Sequence, residues 1–276
     1  MGLHNLVLAI LYLFYSVLYT YSMKKILFIV LIVYVFVVIF IVKNNVSKRV
    51  ETSRNAKDVI VAKEETFPTV EMDAFKYSYI LFRGGENTVV IQNTKQEDFL
   101  VLTERLACRY AINGNFYTTD YKPIGLVRIN GTLVSHRIES VFFDGFLSID
   151  TNAHGEIGLE PDYAMANVLQ SGPLLIKNGE LSSLIVQQDK QSRRSVALTT
   201  DTQDLYFLSV FNNDSRFSGP YLEDLPEIIA QIADQENVYV VWALNLDGGS
   251  ASAIKTPYIL LPEFKTVETI ICIKFL

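Results

Sequence analysis

From residue 75 onward the chain is a succession of short β-branched and aromatic runs punctuated by turn residues. Residues 77–82, 88–92 and 109–112 predict strands. Between the last two, residues 96–107 carry Phe99, Leu100, Leu102 and Leu106 at a spacing that suits a helix packed on a sheet. Residues 125–135 predict a hairpin, because Asn130-Gly131 fills a two-residue turn in which both positions need positive φ. Residues 141–149 and 156–159 predict a second hairpin around residues 151–155. Residues 195–200 and 205–210 predict a third around Asp201-Thr202-Gln203. A second helix is expected over residues 221–235, where Leu222, Leu225, Ile228, Ile229 and Ile232 form one stripe. Residues 238–244 and 267–275 read as buried central strands. Many strands with two modest helices define an α+β class: a mixed or antiparallel β-rich sheet domain with a few packed helices. No repeat emerges at solenoid or propeller periods.

The N-terminal pattern differs. Residues 26–42 (ILFIVLIVYVFVVIFIV) are uninterrupted apolar sequence, just long enough to cross a hydrocarbon core as a helix. Lys24 and Lys25 precede this run, and Lys43, Lys48 and Arg49 follow it. No small-residue cleavage site follows Val42, so a retained transmembrane anchor is expected rather than a removed signal. A second apolar stretch, residues 6–21, lies upstream. Met23 before Lys24-Lys25 has the look of a natural start for a signal-anchor, which would make residues 1–22 an upstream start-codon artefact. If they are genuine, a two-helix hairpin would return the domain to the side of the N-terminus. The expected organisation is an apolar leader over residues 1–43, a polar stalk over 44–70, and a domain over 71–276.

Charge sharpens this division. The first fifty residues hold five basic and no acidic side chains, so the chain's net −6 leaves −11 on the remainder. Such an acidic body argues against nucleic acid as a partner, since phosphate backbones demand clustered Lys and Arg. A small anionic substrate needs only one or two placed cations and is not excluded. Cys108 and Cys272 are the only cysteines, which rules out a disulfide scaffold or a cysteine zinc site. They could bridge outside the cytoplasm; two buried thiols in neighbouring strands is the favoured reading.

Three segments carry more polar and glycine content than a strand end needs: residues 111–117 (AINGNFY), 170–173 (QSGP) with Asn178-Gly179, and 243–252 (ALNLDGGSAS). Each follows an apolar run and opens into backbone that could present side chains and N–H groups to a ligand. Any one of them alone would read as an ordinary turn. Together with GLVRINGTLVS (125–135) and RRSVAL (193–198), in this order over residues 75–275, they resemble the phosphodiester glycosidases. That family includes an uncovering enzyme that frees N-acetylglucosamine from a phosphodiester. NLDGGSAS is the most specific match. Asn115 and Ser250 stand where glycines are usual, and Ala197-Leu198 replaces the usual glycine after the arginine strand.

The resemblance implies a hydrolase that cuts the glycosidic bond of a sugar-1-phosphodiester, with a sugar-phosphodiester glycan or envelope polymer as partner. A membrane-anchored, extracytoplasmic location follows from the leader. Asp247 is the candidate nucleophile, base or electrostatic stabiliser. Arg194 is the candidate phosphate clamp, because a guanidinium can grip two oxygens, with Arg193 facing solvent instead. Asn113 and Asn245 are assigned to sugar hydroxyls or to orienting Asp247. Ser171 and the amides of Gly172, Gly248 and Gly249 are assigned to cradling phosphate, and Asn115 and Ser250 to the substrate pocket. No cofactor is required; His4, His136 and His154 lack metal-ligand spacing, while carboxylates with Asn oxygens could hold Ca²⁺. His136 is expected in an exposed turn, and the positions of Glu139, Asp144 and Asp201 are left open. The altered glycines support a second reading, a non-catalytic binder of envelope glycopolymer on the same fold.

Overall fold

The computed structural model describes residues 67–150 and 154–274. The expected membrane helix, the upstream apolar stretch and most of the stalk lie outside the described residues.

Among the described residues the strands form three sheets, and every pairing is antiparallel. The seven-stranded sheet runs in the order β1 (Thr69–Met72), β2 (Phe75–Arg83), β13 (Leu205–Asn212), β12 (Arg194–Thr200), β14 (Val240–Asn245), β10 (Leu174–Lys177) and β11 (Glu180–Leu181). One five-stranded sheet is ordered β16 (Leu260–Leu261), β15 (Ile254–Lys255), β4 (Cys108–Asn113), β17 (Thr269–Lys274) and β3 (Thr88–Gln92). The other is ordered β6 (Thr132–Ser135), β5 (Val127–Ile129), β9 (Asn167–Ser171), β7 (Gly145–Ile149) and β8 (Gly155–Gly158). Among the described residues there are two α-helices, α1 (Phe99–Arg105) and α2 (Leu225–Glu236).

Period-two alternation distributes these strands among layers. On β12, β13 and β14, Val196, Leu198, Leu208, Val210 and Ala243 face α2 and pack on Leu225, Ile228, Ile229 and Ile232. The intervening Ala197, Phe207, Phe211 and Leu244 point the other way, into a core shared with Ile112 and Ile271 of one small sheet and Leu147 and Leu169 of the other. Ala111, Ile270 and Cys272 lie on the far face of β4 and β17, where Phe99 and Leu102 of α1 cover them. Both faces of the central strands are therefore buried, which is why they read as nearly continuous apolar runs.

Most expected elements form, with boundaries set by local chemistry. Asn130 and Gly131 both take positive φ, 49° and 77°, and close the β5–β6 hairpin as the turn sequence requires. The first helix starts later than residue 96 because Gln96 has φ 52° and the Asn93 side chain captures the Glu97 N–H. Glu263 then accepts the Phe99 N–H at 2.8 Å, filling one of the donors a helix start leaves open. The second helix begins at Leu225, where Pro226 fits the first turn. Residues 141–144 do not join β7: the Ser140 hydroxyl accepts the N–H groups of both Phe142 and Phe143, removing them from any ladder. Residues 67–70 pack with the domain, since Phe67 lies edge-on to Phe211 and Thr69 opens β1.

The cysteines are bonded to each other, which corrects the expectation of two thiols. They lie in neighbouring strands as anticipated, but both face α1 as diagonal neighbours with Cα atoms 5.5 Å apart, within bridging range. The register shift at the end of the β17–β4 ladder brings Cys108 opposite Lys274. Because the bridge spans 164 residues of sequence, chain-entropy reasoning gives it on the order of 5 kcal/mol. Replacing both cysteines with serine is expected to lower the urea midpoint accordingly; an unchanged midpoint would show that the bridge contributes nothing to stability.

Candidate active site

A cavity of about 280 Å³ opens where β12 begins and β14 ends. Antiparallel pairing puts these termini side by side, with Val196 opposite Asn245. Asn245, Asp247, Gly248 and Gly249 line one side, with Arg194 and Ser192 beside them. The loop between β11 and β12 adds residues 186–190, and Phe116, Phe142 and Leu222 supply apolar wall. Phe116 meets Phe142 edge-on with ring centroids 6.0 Å apart.

Asp247 follows β14 and is fixed through its main chain. Its N–H donates to the Gly114 carbonyl at 3.1 Å, and its carbonyl accepts the Asn113 Nδ2 at 2.6 Å. Its Oδ1 accepts the Gly248 N–H at 2.9 Å. Burial pushes the carboxyl up to about 7, and the Gly248 bond and the Lys265 charge only partly oppose this. Nearby, Tyr117 is raised above its usual value, first by burial and then by the charge of Asp247. Glu268 is a second buried carboxyl pushed up to about 7 by burial; Gln92 bonds one oxygen at 2.8 Å and the other has no partner.

Asn113 is buried at the end of β4. Its Oδ1 accepts from the Ser195 hydroxyl at 2.7 Å and the Ala253 N–H at 3.0 Å. The Ser195 hydroxyl thus points its proton at Asn113 and accepts from Ser252, 2.9 Å away. Arg193 closes this network, donating Nε to Ser252 Oγ at 3.0 Å and Nη2 to the Ser252 and Pro262 carbonyls. The expectation that Arg193 faces solvent is therefore wrong: it is 1% exposed and ties the loop after Asp247 to the domain. Burial lowers its guanidinium to about 10, with Glu263 opposing, so it stays charged at neutral pH.

Arg194 lines the cavity but is largely committed. Nε donates to the Pro220 carbonyl at 3.0 Å, and Nη2 donates to Asp189 Oδ1 and the Lys190 carbonyl, each at 2.8 Å. Among the described residues only Nη1 is left unbonded, so the two-pronged grip expected of this side chain reduces to a single nitrogen. The expected amide cradle is likewise occupied from within. Gly172 N–H donates to the Asn245 carbonyl and Gly249 N–H to the Arg193 carbonyl, while Gly248 N–H holds Asp247. The Ser171 hydroxyl donates to the Asn245 carbonyl at 2.7 Å.

These contacts make Ser171 and Gly172 supports for Asn245. The Asn245 Nδ2 donates to the Gly172 carbonyl at 2.8 Å, and Gly172 lies so close to Phe142 that a Cβ would come within 1.9 Å of its carbonyl oxygen. Asn245 is 2% exposed, yet its Oδ1 has no partner. A buried acceptor left unpaired is costly. Asn115 lies off the cavity, clasping the Thr269 hydroxyl at 2.7 Å. Ser250 also lies off it; its carbonyl accepts the N–H groups of Phe264 and Lys265.

The remaining acids and His136 stand elsewhere. His136, Glu139 and Asp201 are exposed, and Asp144 pairs with Lys177 at 2.9 Å. Sequence reasoning missed Asp189, Lys190 and Ser192, for which the available signal was their nearness in sequence to Arg194. Among the described residues no group of three or more His, Cys, Asp or Glu side chains gathers as a metal site.

With this geometry in view, the relationships of the chain are informative. Residues 107–273 match the phosphodiester glycosidase family, more than half of the chain, and the protein belongs to that family. Solved structures share its fold, among them the following two. A hypothetical protein from Synechocystis superposes with a TM-score of 0.55 at 12% identity, covering 74% of this chain and 60% of that one. The catalytic domain of zebrafish N-acetylglucosamine-1-phosphodiester alpha-N-acetylglucosaminidase, auto-inhibited by its pro-peptide, gives 0.52 at 13% identity, covering 77% and 87%. No curated protein matches significantly by sequence.

The raised carboxyls carry a consequence for stability. Asp247 and Glu268 hold their protons to about 7 when folded, against 3.8 and 4.5 ordinarily. The unfolded chain releases those protons first, so the contribution of these two groups to stability is fully present below about pH 4 and is lost as pH rises to 7. Asp247→Asn and Glu268→Gln should each flatten this decline in denaturation measured across that range. A slope unchanged in both variants would contradict the assignment.

Proposed function

We propose that this protein hydrolyses the glycosidic bond of a sugar-1-phosphodiester, releasing free sugar and a phosphomonoester. The observation that carries the proposal is the meeting on one cavity of Asp247, Arg194 and Asn245, whose buried Oδ1 is unpaired, in a member of the phosphodiester glycosidase family.

In this reading a water oxygen bonds to the anomeric carbon while the bond from that carbon to the phosphoryl oxygen breaks. The phosphomonoester leaves with the bonding electron pair, and the proton shed by the water passes to the Asp247 carboxylate. Phosphate is a good leaving group, so the chief demand is a base poised near neutral pH, which a carboxyl titrating at about 7 meets. Arg194 Nη1 contacts a phosphate oxygen. Asn245 Oδ1 accepts from a sugar hydroxyl, and Phe116 and Phe142 flank the apolar face of the ring. Asn113 serves as a positioning residue, through its bond to the Asp247 carbonyl. The disulfide supports an extracytoplasmic setting, where such bridges persist, and the apolar leader supports a membrane anchor with glycan or envelope polymer as the substrate source.

The test is sugar release from a sugar-1-phosphodiester in ¹⁸O-water, with the label expected in the sugar. Activity should rise as pH climbs through about 7. Asp247→Asn should lower kcat by on the order of 10²- to 10⁴-fold, while Asp201→Asn, at an exposed turn, should leave it unchanged. Label recovered in phosphate would indicate P–O cleavage. Polymer binding with no sugar released would indicate a binder on the same fold.

A further inference from the structure

The donors first expected to meet a phosphate are spoken for, which raises the question of what does hold the anion. The Gly172, Gly248 and Gly249 amides and the Ser171 hydroxyl bond within the protein, and Arg194 keeps one nitrogen. Its charge, moreover, is already balanced by Asp189 in a buried ion pair at 2.8 Å. An additional cation is needed for net attraction inside the cavity.

The segment entering β12 reads Lys190-Gln191-Ser192-Arg193-Arg194, and its side chains alternate. Lys190, at the exposed rim, Ser192 and Arg194 line the cavity, whereas Gln191 does not and Arg193 is buried in the network beneath Asp247. This period of two is that of an extended chain, which places every second residue on one edge. Among the described residues lining the cavity, Lys190 is the one cation without a carboxylate partner. The Ser192 hydroxyl has no hydrogen bond among the described residues. The Lys190 main chain is held at both ends, its N–H donating to Asp189 Oδ1 at 2.7 Å and its carbonyl accepting from Arg194. Asp189 also accepts the Leu222 N–H, so one half-buried carboxylate ties Lys190 and Arg194 to the start of the next segment.

We propose that Lys190, Ser192 and Arg194 form the phosphoryl-binding edge of the cavity, with Lys190 supplying the cation, unpaired with any carboxylate, that favours an anionic phosphodiester over a neutral glycoside. The inference rests on the proposed hydrolase reading for its substrate, but the anion site itself can be measured without turnover. Ser192 contributes a neutral donor and Arg194 a single nitrogen from a buried, fixed guanidinium. The Lys190 ammonium is strongly hydrated and mobile, so its contribution should weaken with ionic strength.

The experiment is titration of the full-length chain with inorganic phosphate at low salt, read by calorimetry, for the wild type and three variants. Loss of one charge-assisted contact is expected to weaken binding on the order of 10- to 100-fold in Lys190→Met, with less effect in Ser192→Ala. Lys190→Arg should restore most of the affinity, which a merely structural role for the lysine would not explain. For a phosphodiester substrate, Lys190→Met should raise KM more than it lowers kcat. Equal phosphate affinity in wild type and Lys190→Met, or no phosphate binding in the wild type, would overturn the proposal. Sugar release that persists while phosphate affinity ignores Lys190 would sink the edge and spare the hydrolase. Lys190-dependent phosphate binding without any sugar release would do the reverse.

Discussion

The buried amide of Asn113 joins parts of the molecule that sequence keeps far apart. It ends β4 in a five-stranded sheet, yet its two side-chain atoms hold the Asp247 carbonyl, the Ser195 hydroxyl and the Ala253 N–H, all on segments that belong to or follow strands β12 and β14 of the larger sheet. Apolar packing alone stacks these sheets but does not fix how their ends meet, because hydrophobic burial has no direction. Hydrogen bonds do, and a fully satisfied buried network specifies one arrangement. Arg193, Ser252 and Ser195 extend that network under the loop carrying Asp247. The position of the Asp247 carboxyl is thus set from below by buried groups.

The same economy explains the chemistry of the pocket. A loop held by its main chain leaves its side chains available, and Asp247 is raised to about 7 because burial removes water without supplying a strong cation in return. Asn245 is braced on its nitrogen and on its carbonyl while its Oδ1 stays unpaired, which leaves an acceptor waiting for a donor. Arg194 is braced almost completely. The residues that looked most reactive in the sequence divide into a few that face the cavity and several whose hydrogen bonds keep those few in place.

How far the sequence could be read depended on period. Strands such as β12, β13 and β14 alternate cleanly between two buried cores, and the Asn130-Gly131 turn declares itself through backbone conformation. The two-residue strands β15 and β16 are too short to show a period. Residues 141–144 looked like strand because composition cannot reveal that Ser140 takes their N–H groups. Of the glycine-punctuated strand ends, residues 243–252 supply Asn245, Asp247, Gly248 and Gly249 to the cavity and residues 111–117 supply Phe116, with Arg194 beside them, whereas residues 170–173 lie behind the lining. Which of two adjacent arginines turns inward was not legible, since both have the same chemistry and only the register of β12 separates them. Asp189 and Lys190 lie in a loop whose path depends on their own contacts with Arg194 and Leu222. The cysteine bridge escaped for a related reason: pairing depends on a register shift at a strand end that no local pattern encodes.

Direct titration of the Asp247 carboxyl carbon by NMR, on protein labelled with ¹³C-aspartate and assigned by comparison with Asp247→Asn, addresses the centre of this account. A carboxyl buried by the meeting of β12 and β14 and unneutralised by Arg194 should titrate near 7. A midpoint near that of an ordinary exposed aspartate would mean that the loop is open to water, and that the strand ends do not enclose the site described.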